Sequence, residues 1–337
     1  MSTPTTRPTA TTAQKALLLG MIFIALMVPP AFLFMIGQDG VSFVCVYGGI
    51  VALIAAFYSL RLSIALSVIA GVAGIVAILA EPWPIAGALV ITLLTAGAAL
   101  ASRRGLHNAA LLVPIVISLI ITAPPTISGV DSPVVTALVT GLALCASGLW
   151  VTLVVRLVLG SGAPRLPRSE YSRTVSLAYA AVMAVVVGVA SYIVLALYPI
   201  DRGGWLILAL IVTLQPSAAD TITKALQRLG GTVIGLAIAL LIALANPPPW
   251  ANLLITSILL YLALASRFVV PLPYYVYVVL LTPAVLLMNT QVADAFDLAG
   301  KRLELTAVAA LVAIIVAVIG KGVVLYLHRR HPTPSAH

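Results

Sequence analysis

Residues 205–235 read WLILALIVTLQPSAADTITKALQRLGGTVIG. The opening run of about twelve apolar residues is roughly 18 Å of helix at 1.5 Å per residue, against a bilayer core of roughly 30 Å. It stops at Gln215-Pro216, because proline removes a backbone donor and ends the helix. Ser217 and Asp220 then have the spacing of an N-cap and its N3 partner, which predicts a new helix from that point. On that helix Lys224 and Arg228 follow Asp220 at four-residue steps on one face, with Gln227 beside them. A broken membrane helix whose new N-terminus adds roughly half a positive charge to two cations is an anion site.

The rest of the chain supplies the membrane. Of 337 residues, 62% are hydrophobic and 8% charged, and the mean hydropathy is +1.18. A soluble globular domain carries about 25% charge, so a soluble catalytic or nucleic-acid-binding protein is excluded as the main body. Splitting at charges, prolines and glycines predicts an all-α polytopic membrane protein of about twelve transmembrane helices. These lie near 16–36, 41–60, 62–80, 84–102, 106–123, 133–158, 174–199, 204–216, 222–245, 250–266, 272–289 and 303–327. Residues 1–15, rich in Ser, Thr and Pro, are expected to form a disordered cytoplasmic tail, and 328–337 a basic tail.

Loop charge tests that division, since Lys and Arg near span ends are retained in the cytoplasm. With both termini inside, fifteen of the eighteen Lys and Arg fall in inside segments and seven of the nine acids outside. The expected arrangement is therefore multi-pass, with cytoplasmic N- and C-termini.

A repeat is visible at roughly 160 residues, far longer than solenoid units. Pro82-Trp83 and Pro249-Trp250 each open a helix closing on Ala-Ser-Arg, at Ala101-Ser102-Arg103 and Ala265-Ser266-Arg267. Gly71 and Gly74 stand where Gly231 and Gly235 do, and Ile64 and Val68 stand opposite Lys224 and Arg228. Six spans per half inserts both halves the same way round, giving two parallel six-helix repeats, 16–160 and 174–327, joined by a cytoplasmic linker at 161–173. A duplicated chain supplies its own pseudo-twofold axis, so a monomer is expected, with homo-oligomers open.

Ionisable groups inside a membrane are costly and mark function. For Asp220 to Arg228 an ordinary cytoplasmic turn is the alternative, with Asp220 paired to Lys224. At the start of the last span, Lys301 or Arg302 is a candidate for anion attraction and Glu304 for carrying a proton, against a solvated helix start with Asp297 and Lys301 paired at i,i+4. Tyr274, Tyr275 and Tyr277 suit a flat ring, but aromatic residues near span ends are more often an interface belt. His107 reads as alone in a short loop, and no metal pair is apparent. Gly231-x-x-x-Gly235 and Ser63-x-x-x-Ser67-x-x-x-Gly71 are packing signals first. Metalloprotease, nucleophile-elbow and P-loop patterns are lacking, so neither an enzyme nor a cofactor is expected.

Gly203-Gly204-Trp205, Gln215-Pro216 and Lys224-Ala-Leu-Gln-Arg228-Leu-Gly-Gly231-Thr232-Val-Ile-Gly235 together resemble the fusaric acid resistance family of aromatic acid exporters. The Arg-x-x-Gly-Thr-x-x-Gly pattern is the family's most recognisable one. A second element looks like Arg302, Glu304, Thr306 and Ala309, with alanine where glycine is usual. The resemblance implies an inner-membrane exporter of aromatic or other small organic carboxylates, built from six-helix bundles and driven by protons. Many such exporters carry cytosolic domains after each bundle, and this sequence reads none. On that basis Lys224, Arg228, Gln215, Gln227, Thr232 and Arg302 are expected to bind a small organic anion and Asp220 or Glu304 to couple protons, with membrane lipid the other partner. A passive anion channel and a non-transporting membrane scaffold remain the alternatives.

Overall fold

The computed structural model describes residues 11–160, 166–197, 203–287 and 295–330. Over them the chain forms twelve helices, in order α1 Thr12–Met35, α2 Asp39–Ala56, α3 Leu60–Ala80, α4 Pro84–Leu100, α5 His107–Thr122, α6 Pro133–Leu159, α7 Arg173–Tyr192, α8 Gly204–Thr213, α9 Ala218–Leu244, α10 Pro249–Phe268, α11 Tyr274–Leu287 and α12 Ala295–Arg330. Local chemistry sets their starts. Ser59, Ser172 and Ser217 cap α3, α7 and α9 by accepting from backbone N–H groups three residues on, and α4, α6 and α10 open on proline, whose missing donor costs nothing there.

Two expectations at the tails change. Thr11 and Gln14 form a reciprocal capping box, so Thr12–Lys15 is the first turn of α1 rather than tail. At the other end α12 runs on to Arg330. Residues 1–10 and 331–337 of the expected tails, and 161–165 of the linker, lie outside the described residues.

Among the described residues nine helices are long and apolar enough to cross a bilayer. The other three, α5, α8 and α11, are shorter, and α8 at ten residues is about 15 Å long. The twelve expected spans thus appear as twelve helices, nine of spanning length. Burial explains how two of the short ones persist. Eight residues of α8 and most of α5 are buried, and a helix enclosed by protein does not have to cover the thickness of the hydrocarbon. Outward faces carry the opposite character, with Leu93 70%, Leu157 74% and Leu241 68% exposed, as a surface solvated by lipid requires.

Small residues let the central helices approach. In the α3–α6 pair Ser63 Oγ and Thr152 Oγ1 are 2.6 Å apart, and a Cβ on Gly71 would meet the Gly141 carbonyl and Cys145 at 2.8 Å. On α9, Gly231 and Gly235 face Val278 and Thr282 of α11 instead. The two glycine pairs set in register by the repeat therefore serve different contacts. Elsewhere the pairing order recurs: α2 and α3 both pack on α6, as α8 and α9 pack on α12, and α4 meets α5 as α10 meets α11. Between the two sets α4 packs along α7 and α5 against α8.

The basic loops gather at one end. Leu166 N–H donates to Phe57 O and Tyr171 N–H to Ser102 O, while Tyr58 senses both Arg168 and Arg267. The opposite end joins Ser128 Oγ to Gly37 O.

Candidate anion site

The break between α8 and α9 is built from its own side chains. Leu214 turns extended, Pro216 offers no donor, and Gln215 N–H donates to Thr221 Oγ1 at 2.9 Å. The Thr221 hydroxyl donates onward to Ser217 O at 2.9 Å. Ser217 Oγ accepts from Asp220 N–H at 3.1 Å and donates to Asp220 Oδ2 at 2.8 Å, so the expected cap forms. Carbonyls freed at the end of α8 are also satisfied: Gln215 Nε2 donates to Val212 O and Leu214 O, and Tyr179 Oη donates to Leu214 O. The remaining amide oxygen, Gln215 Oε1, accepts from Lys224 Nζ at 2.9 Å.

One turn on, Arg228 is buried at 7% exposure and donates from Nη1 to Tyr274 Oη at 3.0 Å, while its Nε has no hydrogen-bond partner. Tyr274 is the hub. Lys224 Nζ lies 5.8 Å from its ring centre and the Arg267 guanidinium 6.0 Å, and the ring stacks on Tyr277 at 6.0 Å. Three cations thus surround two phenol rings. The one ion pair among the described residues is Asp297–Lys301, 2.9 Å and exposed, so Lys224, Arg228 and Arg267 share no carboxylate within 4.0 Å. The turn reading that paired Asp220 with Lys224 is not what the geometry gives; Asp220 caps its helix and acts on Lys224 only at longer range.

Tyr274 and Tyr277 thus stand beside the three cations, whereas Tyr275 is exposed. The first two pack inward because the helix start of α11 lies against the middle of α9, where Gly231 admits the Tyr275 backbone. His107 is not alone in a loop. It opens α5 at 2% exposure, its ring edge-on to Tyr171 and Tyr179 at 5.8 and 6.3 Å, within electrostatic reach of Lys224. Burial and the Asp220 charge together raise the Tyr171 hydroxyl above its ordinary range.

The other expected site residues separate. Gln227 is half-buried beside Arg228, and Thr232 is buried on α9 next to the glycine contact. Arg302, also buried, sits 4.8 Å over the Trp205 ring. Trp205 and Gln215 are ten residues apart along α8 and its exit, about 15 Å, so Arg302 belongs to the far end of α8. Glu304 is exposed on α12. Asp297 and Lys301 form the pair of a solvated helix start. Sequence reasoning did not place Arg267 in the site; its only signal was the Ala-Ser-Arg repeat. Among the described residues no cluster of three His, Cys, Asp or Glu side chains is placed to hold a metal ion.

Residues 189–316 match the family model described as fusaric acid resistance protein-like. That segment holds α8 to α11 and most of α12, with every expected site residue and Arg267 and Tyr274 inside it. The match bears out the family resemblance and, with the apolar helices, supports a multi-pass membrane protein of the transport and resistance type. No curated protein and no solved structure matches the chain.

Proposed function

We propose that this chain, similar to the fusaric acid resistance proteins, exports small organic carboxylates, aromatic ones included, across an inner membrane at the expense of the proton gradient. The observation that carries the reading is the cluster of Lys224, Arg228 and Arg267 around Tyr274 and Tyr277 with no carboxylate partner among the described residues. A buried Arg228 and a half-buried Lys224 without a carboxylate favour an anion, with the exposed Arg267 at the mouth, and ring faces beside them favour one that carries an aromatic plane. Lys224 and Arg228 bind the carboxylate, Gln215 and Gln227 orient it, and Tyr274 and Tyr277 meet the ring. Thr232 keeps α9 close to this wall, and Arg302 attracts the anion at the far end of α8.

Proton coupling is assigned to Asp220, whose charge reaches Lys224 and Tyr171. Glu304 lies outside the cluster and is the weaker of the two acids for that role. Two parallel six-helix halves in one monomer, with the three shorter helices enclosed by the spanning ones and both termini cytoplasmic, are the arrangement this reading takes, and the recurring pairing order and the basic end support it. Rocking of those halves about α4–α7 and α5–α8 then opens the site alternately.

The test is uptake of labelled benzoate by liposomes holding the purified chain, under a pH gradient and then under membrane potential alone. Accumulation driven by the pH gradient, and abolished by Lys224→Gln with Arg228→Gln, is expected. Retained transport in that variant sinks the site assignment. Flux that follows potential and ignores pH replaces the exporter by a channel.

A further inference from the structure

A second basic feature lies apart from the anion site. Between α3, α4, α5 and α7 a crevice of about 920 Å³ runs along the outer face of the bundle. Its wall is apolar, with Leu66, Ile69, Leu93 and Leu177 among its lining side chains, and three of these four are exposed where lipid chains would lie. Gly97 on α4 opens into it, and a Cβ there would meet nothing within 4 Å. The end of the crevice is cationic. Arg103 and Arg104 come from the turn that closes α4, and Arg173 from the first residue of α7.

These arginines are held in place by the backbone rather than scattered on a loop. Ser102 Oγ donates to Ser176 Oγ at 2.9 Å and Ser102 O accepts from Tyr171 N–H at 3.2 Å, which ties the Arg103–Arg104 turn to the start of α7. Gly105, at φ 64°, reverses the chain against Arg168 in a conformation that other residues rarely adopt. None of the three arginines is in an ion pair among the described residues.

We propose that this crevice seats one anionic phospholipid, its phosphate held by Arg103, Arg104 and Arg173 and its acyl chains laid along α3 and α4. Guanidinium groups grip phosphate oxygens in pairs, and basic pockets between membrane helices select anionic headgroups. A free phosphate would leave the apolar wall uncovered, and a zwitterionic lipid would bring a second cation beside the three arginines and no net charge to offset them. The seat bridges α4 and α7, which lie on either side of the linker. No residue of the Lys224 cluster lines it.

The full chain, purified in detergent and offered phosphatidylglycerol, cardiolipin or phosphatidylcholine, is analysed by native mass spectrometry. Expected is retention of the anionic lipids over phosphatidylcholine by about tenfold or more. That preference is expected to vanish in Arg103→Gln/Arg104→Gln/Arg173→Gln, and separately in Gly97→Trp, which fills the crevice and keeps all three arginines. Arg61→Gln, at the same basic end, is expected to retain it. Equal retention of all three lipids, or a preference that survives both variants, overturns the proposal. So does a dimer that Gly97→Trp dissociates, since the occupant is then a second copy of the chain.

Discussion

Arg228 donates through Nη1 to the Tyr274 hydroxyl at 3.0 Å across 46 residues of sequence, and the same ring holds Lys224 5.8 Å from its centre. One phenol therefore fixes two cations on successive turns of α9. A guanidinium at this depth gives up water, and the hydroxyl is one of the few groups that replaces it.

Removing that hydroxyl alone tests the relationship. Tyr274→Phe keeps the ring and its attraction for Lys224 but takes away a hydrogen bond to a buried charge, worth about 1.5–3 kcal/mol. A lower thermal midpoint in detergent is expected, and a weaker half-saturation for benzoate. Unfolding like the parent protein would mean that Arg228 is held by other contacts.

Two glycines five residues apart on α9 differ in what surrounds them. A Cβ on Gly235 would meet Thr282 at 2.7 Å and the Val279 carbonyl at 2.9 Å, whereas one on Gly230 would meet nothing within 4 Å. Gly235→Ala should force α9 and α11 apart at a cost of about 1–3 kcal/mol. Gly230→Ala should be neutral or stabilising by up to about 1 kcal/mol through helix propensity. Thermal melting of the two variants side by side reads the contrast, and equal loss from both would argue against the close α9–α11 contact.

Asp297 and Lys301 form an exposed pair four residues apart, a geometry worth about 0.2–0.5 kcal/mol. Lys301→Gln should therefore leave both the melting midpoint and benzoate uptake unchanged. Loss of uptake would return Lys301 to the list of anion-binding cations.

Tyr171 titrates above the ordinary tyrosine value of 10.0, through burial first and the Asp220 charge second. In the unfolded chain the phenol releases its proton near 10, while the folded chain still holds it. The folded state then binds more protons, so its contribution to stability is complete below pH 10 and declines as pH rises through the folded value. Tyr171→Phe should flatten the alkaline fall in melting temperature, and Asp220→Asn should shrink it, because the folded value moves back towards 10 while the unfolded value stays. An unchanged alkaline limb in Tyr171→Phe would remove Tyr171 as its source.

Much of this molecule was legible locally. The short α8, the stop at Gln215-Pro216 and the Ser217 cap follow from proline, from hydroxyl chemistry and from groups three residues apart, and each is found as read. Twelve apolar runs likewise became twelve helices, because the spacing of charges and prolines acts within one turn of the chain. The sharing of one end by basic loops could be inferred from alternation alone.

Tertiary contact decided the rest. Arg267, Tyr274 and His107 reach the cations of α9 from three other helices, and no period or cap in the sequence encodes a contact that spans such separations. The same is true of what moved away: Arg302 packs on Trp205 at the far end of α8, and Glu304, two residues on, turns outward because successive helical positions face different directions. Sequence by itself determined where helices begin, break and end, since those depend on neighbours along the chain. Which cations share a ring, which acid lies near them and which helices are short because they are enclosed depended on packing between distant segments, where burial and small-residue contacts set the distances.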